Sequence, residues 1–227
     1  MLKPPPYGRL LRELADIPAI VTAPFRGAAK MGKLADGEPV LVLPGFLADD
    51  NATSVLRKTF EVAGFACSGW EKGFNLGIRG DLMDYLVDRL RAVSEAAGGQ
   101  KVIVVGWSLG GLYARELGHK APELIRMVVT LGSPFAGDLH ANHAWKIYEA
   151  INSHTVDNLP IPRDFQIKPP VHTIAVWSPL DGVVAPETSE GSPEQSDERL
   201  ELAVTHMGFA ASKTGAEAVV RLVAARL

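Results

Sequence analysis

Residues 101–111 read Lys-Val-Ile-Val-Val-Gly-Trp-Ser-Leu-Gly-Gly, an apolar run that stops at Gly106-Trp107-Ser108-Leu109-Gly110. The run predicts a buried strand ending at about Trp107, and residues 110–120 predict a helix beginning just after Ser108. A serine on that corner sits in a strained, exposed turn with its hydroxyl pointing away from the sheet. The flanking glycines leave room for the turn and for close packing of helix on strand. The G-x-S-x-G pattern is weak alone; the strand before it and the helix after it give it meaning.

The same alternation runs along the chain. Residues 39–43, 65–70, 101–107, 125–131, 171–177 and 200–204 predict strands, and residues 52–63, 81–97, 110–120 and 213–227 predict helices. Asp49-Asp50-Asn51 offers cap chemistry for the helix at 52–63, and Gly98-Gly99 stops the helix at 81–97. Strands that are apolar throughout, alternating with helices, indicate the α/β class. The expectation is a compact, mostly parallel sheet of about six strands with helices on both faces. A length of 227 residues suits a single domain, with residues 1–37 as an N-terminal arm. Two stretches break the rhythm. Residues 135–170, which hold Pro160, Pro162, Pro169 and Pro170, are long for a connection and predict a small lid or cap insertion with a helix over 142–151. Residues 186–198, rich in Glu, Ser, Gly and Pro, predict a solvated surface loop.

Composition excludes several classes. A net charge of −3 offers nothing that would attract nucleic acid. The single cysteine, Cys67, cannot form an internal disulfide, which is compatible with a reducing compartment. Lys3, Arg9, Arg12 and Arg26 interrupt the first residues, and no clean apolar core precedes a cleavage site, so the expected location is cytoplasmic. No apolar stretch is long enough to predict a transmembrane helix. Pro4-Pro5-Pro6 and the weakly amphipathic residues 10–14 would suit peripheral contact with a membrane or a partner. Packing of the arm on the domain is the simpler expectation. Nothing in the pattern specifies an oligomeric state.

A serine is a poor nucleophile at neutral pH and needs a base, usually histidine, which needs an orienting carboxylate. On parallel sheets, ligands bind beyond the carboxyl ends of the strands, so these partners should directly follow strands. The chain has six histidines. His119 lies well down the helix after Ser108, His172 begins a strand at the wrong end, and His140, His143 and His154 fall in the insertion. His206 directly follows the strand at 200–204. Asp181 follows the strand at 171–177, in Ser178-Pro179-Leu180-Asp181-Gly182. Ser108, Asp181 and His206 are therefore the candidate catalytic residues. The backbone N–H groups of Leu109 and of Phe46, in Pro44-Gly45-Phe46, are the candidate oxyanion donors. Candidate pocket residues are Leu47, Trp107, Phe135, Trp145, Val183 and Met207. Ser133 is a poor rival nucleophile, because Pro134 after it has no N–H to offer an oxyanion. His140-x-x-His143 lacks a cysteine or carboxylate at ligand spacing, so neither a metal nor a cofactor is expected.

The order Ser108, Asp181, His206 is that of the α/β-hydrolases and differs from the two protease orders. The chain resembles that superfamily, and more narrowly its small bacterial lipase- and esterase-like serine hydrolases. The resemblance rests on Leu43-Pro44-Gly45-Phe46, Gly106-Trp107-Ser108-Leu109-Gly110-Gly111, Leu131-Gly132-Ser133-Pro134, Asp181-Gly182-Val183-Val184 and His206-Met207-Gly208-Phe209. It spans residues 38–227 and implies the α/β-hydrolase fold and an acyl-enzyme on Ser108. A small-molecule or lipid ester would be the substrate. Two departures matter. Such lipases often carry His-Gly at the oxyanion turn, where this chain has Pro44-Gly45. The first strands of the full family sheet are absent or replaced by the arm. An acyltransferase or thioesterase would use the same residues. A non-catalytic binding module on the same fold is the alternative of another class.

Overall fold

The computed structural model describes residues 2–161 and 164–227. Its helices are α1 (Tyr7–Val21), α2 (Ser54–Val62), α3 (Leu82–Ala96), α4 (Leu109–Lys120), α5 (Trp145–Ile151), α6 (Pro186–Glu190), α7 (Gly208–Ala211) and α8 (Lys213–Ala224). The strands are β1 (Pro39–Leu43), β2 (Ala66–Gly69), β3 (Val102–Trp107), β4 (Ile125–Leu131), β5 (His172–Trp177) and β6 (Glu198–Glu201). They form one parallel sheet in the order β2-β1-β3-β4-β5-β6. Both β1 and β3 are buried along their whole length. Because successive side chains point to opposite faces, an all-apolar strand demands cover on both sides. Val40, Val42, Ile103 and Val105 pack under α2, α7 and α8, whereas Leu41, Leu43, Val102 and Val104 pack under α3 and α4. Phe60 of α2 is fully buried and meets Phe65 edge-to-face at 5.1 Å. Phe60→Ala should cost about 3–5 kcal/mol through lost transfer energy and the cavity left behind, read from the urea midpoint.

Three segments differ from what the pattern predicts. The last strand is Glu198–Glu201 rather than 200–204. The ladder ends where the Leu202 N–H reaches Trp177 O at 2.9 Å, and Ser178 Oγ then donates to Val204 O at 2.5 Å, pulling the chain off the sheet. Leu200, Leu202 and Val204 still pack against the core, so the apolar alternation outlasts the hydrogen bonding. Residues 186–198 are not a solvated loop: they hold α6, with Thr188, Ser189 and Ser196 buried. The fully buried Arg115 of α4 donates to Gln195 O at 2.8 Å and to the carbonyls of Phe165 and Ile167. It also lies 4.1 Å from the Phe135 ring centroid, and burial pulls its pKa down to about 10. One side chain thus satisfies backbone groups that a loop would give to water. In the arm, the amphipathic stretch is a full helix, α1, despite an internal Pro18. Its apolar Tyr7, Leu11, Leu14 and Val21 face outward, which weakens any core-facing periodicity, while Glu13 is buried. No described helix is long and apolar enough to cross a membrane.

Residues 135–161 and 164–170 include Leu139, Trp145 and Tyr148, which stand with Ser108 at the carboxyl edge of the sheet. Their helix is shorter than expected, Trp145–Ile151, and a 3₁₀ turn covers Asp164–Gln166. Phe135, Leu139, Tyr148, Val156 and Phe165 form an apolar cluster with Leu112 of α4. Pro162 lies outside the described residues.

Candidate active site

All six strands run the same way, so their carboxyl ends make one edge. The register sets Leu43 beside Gly106, Trp107 beside Leu131, and Leu131 beside Val176. Ser108 follows β3 directly and opens α4 with φ 55° and ψ −124°. A non-glycine residue in that region carries about 1–3 kcal/mol of strain, which the neighbours must hold. They do so through the Ser108 N–H bond to Leu131 O at 2.8 Å and by close approach of backbone. A Cβ on Gly106 would run into the Gly110 carbonyl, and one on Gly110 into the Leu43 carbonyl.

Beside Ser108 lies the turn after β1. A Cβ on Gly45 would stand 3.1 Å from Ser108 Cβ, so the two corners touch. Among the described residues, neither the Phe46 nor the Leu109 N–H has an acceptor, which leaves both free for an oxyanion. Asn75, fully buried, braces this turn. Its Nδ2 donates to Pro44 O at 2.8 Å, its backbone exchanges bonds with Leu47 and Ala48, and its Oδ1 accepts from Tyr113 Oη at 3.0 Å.

Asp181 and His206 are both buried and joined, His206 Nδ1 to Asp181 Oδ2, at 2.7 Å. The other carboxylate oxygen, Oδ1, accepts from Val183 N and Val184 N, each at 2.8 Å, which fixes the rotamer. Trp107, next to Ser108, donates its indole N–H to His206 O at 3.0 Å and packs its ring 5.7 Å from the imidazole. Glu13, reaching in from α1, accepts from Gly182 N (2.8 Å) and His206 N (2.7 Å) through Oε1 and from Met207 N (3.0 Å) through Oε2. Burial alone would lower the His206 pKa; the Asp181 charge and hydrogen bond, with the Glu13 charge, outweigh it and raise the pKa above the usual histidine value. A base must be neutral to accept a proton, so activity should fall as pH drops through that raised value. With His206 as the base, a pH profile of kcat/KM should show an acid limb shifted up from the usual histidine value.

Ser108 opens into an apolar cleft of about 520 Å³, its open mouth included. Phe46, Leu109, Leu112, Trp145, Tyr148 and Val183 are among its walls. Of the candidate pocket residues, Trp145 and Val183 line this cleft; Leu47, Trp107, Phe135 and Met207 do not. Leu47 points outward, 46% exposed, because the turn puts it at φ 60°. Trp107 is committed to His206 and Phe135 to Arg115. Met207 is half-buried against the α8 side of the sheet. The remaining histidines are engaged elsewhere. His140 lies between Asp138 (3.1 Å) and Asp157 (3.6 Å), carboxylates that histidine spacing alone does not reveal. His143 bonds Pro5 O at 2.8 Å, and no group of three or more His, Cys, Asp or Glu among the described residues could hold a metal.

A family model for the alpha/beta hydrolase fold matches residues 59–165. The structure is similar to a metagenome-derived lipolytic enzyme at 15% identity and a TM-score of 0.61, covering 88% of this chain and 97% of that one. It is similar to the Paleococcus ferrophilus monoacylglycerol lipase at 15% identity and 0.59, covering 85% and 97%. It is also similar to a thioesterase domain from the curacin biosynthetic pathway at 14% identity and 0.58, covering 85% and 92%. No curated protein matches the chain. At these identities the likeness is one of fold, and it agrees with the parallel sheet and the strained corner at Ser108: the chain has the α/β-hydrolase fold.

Proposed function

We propose that the chain is a serine carboxylic ester hydrolase using Ser108, His206 and Asp181. The observation that carries this reading is the buried Asp181–His206 pair on the same strand edge as the Ser108 corner, with Trp107 bridging the two. Ser108 Oγ attacks the ester carbonyl carbon while His206 Nε2 takes its proton. The resulting oxyanion is held by the free N–H groups of Phe46 and Leu109. Collapse breaks the bond to the alcohol, which leaves with the proton from His206, and Ser108 carries the acyl group. Water then attacks, giving its proton to His206; the acid departs and Ser108 recovers its proton. Asp181 holds the tautomer in which Nδ1 carries the proton and Nε2 is the acceptor.

The cleft's apolar wall favours an apolar acyl chain. Thioester cleavage would follow the same steps, with a thiol leaving, and is supported by the likeness to the curacin-pathway thioesterase domain. The test is a panel of p-nitrophenyl esters of increasing acyl length with matching acyl thioesters, run on the wild-type chain and on Ala144→Phe. Ala144 lines the cleft, and a phenyl ring there should cut kcat/KM for long acyl chains about tenfold while sparing acetate. Turnover of none of the panel would contradict the reading, and equal loss across all lengths would contradict the placing of the acyl chain.

A further inference from the structure

Glu13 is a buried carboxylate that the proposed reaction steps do not use. It comes from α1, outside the sheet, and is only 2% exposed. A buried carboxylate is costly unless hydrogen-bonded, and here three backbone N–H groups meet it. Those amides belong to Gly182, next to Asp181, and to His206 and Met207. They are the two loops that must hold the acid and the base in register, and Glu13 is a third point tying them together. The adjoining turn of α1 adds Asp16, whose Oδ2 accepts from Thr205 Oγ1 at 2.5 Å.

Resting on the hydrolase reading above, we propose that Glu13 is a positioning residue for the reaction. It joins the Asp181 turn to the His206 loop through their backbone amides and sets the field in which the imidazole takes its proton. It does not line the cleft. Three acidic groups face the His206 loop: Asp181 from the turn after β5, and Glu13 and Asp16 from α1. Glu13 raises the pKa of His206 by its charge, in addition to Asp181.

The test compares Glu13→Gln and Glu13→Ala with the wild-type chain. Readouts are kcat and KM on a p-nitrophenyl ester and the His206 imidazole titration by NMR. Gln keeps an oxygen for Gly182 and His206 but turns an N–H₂ toward the Met207 N–H and removes the charge. The expected result is a His206 pKa lower than wild type in both variants, and an acid limb of kcat/KM moved the same way. We expect kcat down about 10–100-fold in Glu13→Ala and less in Glu13→Gln, with KM unchanged. A His206 titration that does not move would overturn the proposal, since a purely structural tie would lower stability alone. If neither variant folds, hydrogen exchange on the wild-type chain decides. Protected amides at Gly182, His206 and Met207 support the tie, and exchange at the rate of open loops overturns it. A wild-type chain whose Ser108 does not react with a fluorophosphonate contradicts the hydrolase reading instead, and the NMR titration remains a test of Glu13.

Discussion

Ser108→Ala should lower ester turnover by about 10⁴–10⁶-fold while leaving the fold intact. In the proposed mechanism the hydroxyl is the nucleophile, and Ser133, the nearest rival in the sequence, is not placed to replace it. Ser133 is fully buried, and its Oγ faces the Gly106 and Leu131 carbonyls, each 3.5 Å away. Alanine tolerates φ 55° no worse than serine, so the variant keeps the same backbone strain and its urea midpoint should barely move. Ester binding should survive, because the cleft and the free N–H groups of Phe46 and Leu109 are untouched. The expected signature is therefore a collapse of kcat with little change in ligand affinity. Loss of affinity in step with kcat would mean that the hydroxyl serves binding rather than bond formation.

Asp181→Asn should cost about 10⁴-fold in kcat, for a reason that the hydrogen bonds make explicit. Asp181 Oδ1 is held by the N–H groups of Val183 and Val184. An asparagine would keep its carbonyl oxygen there, because only an oxygen can accept those two bonds. Its N–H₂ would then face His206 Nδ1 and donate to it. The imidazole would be driven to the tautomer with the proton on Nε2, which cannot take the proton of Ser108. The imidazolium formed in the reaction would also lose its counter-charge. Because the amide is nearly isosteric and its oxygen stays paired, the chain should fold. A variant retaining more than about a tenth of wild-type kcat would show that His206 does not depend on Asp181 for its tautomer.

The sheet was legible because its physics is local. Runs such as Pro39–Leu43 and Val102–Trp107 are apolar at every position, and only burial on both faces explains such runs. The candidate site was legible for a related reason. Parallel strands put all their carboxyl ends on one edge, which singles out Ser108 immediately after β3, Asp181 in the turn after β5 and His206 in the segment after β6. The elements that escaped sequence reasoning are held by polar contacts between distant segments. Glu13 reaches amides far along the chain, and Arg115 ties down residues 165–167 and 195–196. Neither leaves a periodic trace, and an acid on an amphipathic stretch ordinarily faces water. Asn75 sits in a short loop between Gly73 and Gly77, where the glycines signal a tight turn but not that its side chain braces Pro44. The pocket walls were hardest to foresee. Trp107 and Phe135 are large and lie next to strand ends, yet each is already spent on a contact of its own.

The central claim is that Ser108 forms a covalent acyl-enzyme. Its most direct measurement is intact mass, followed by peptide mapping, after brief exposure to a fluorophosphonate, alone and in competition with a slowly hydrolysed p-nitrophenyl ester. The account predicts one adduct per chain, on the peptide containing Ser108, formed faster as pH rises through the raised His206 pKa and slowed by the ester. Labelling at any other residue, or continued ester hydrolysis by a chain whose Ser108 is fully modified, would contradict it.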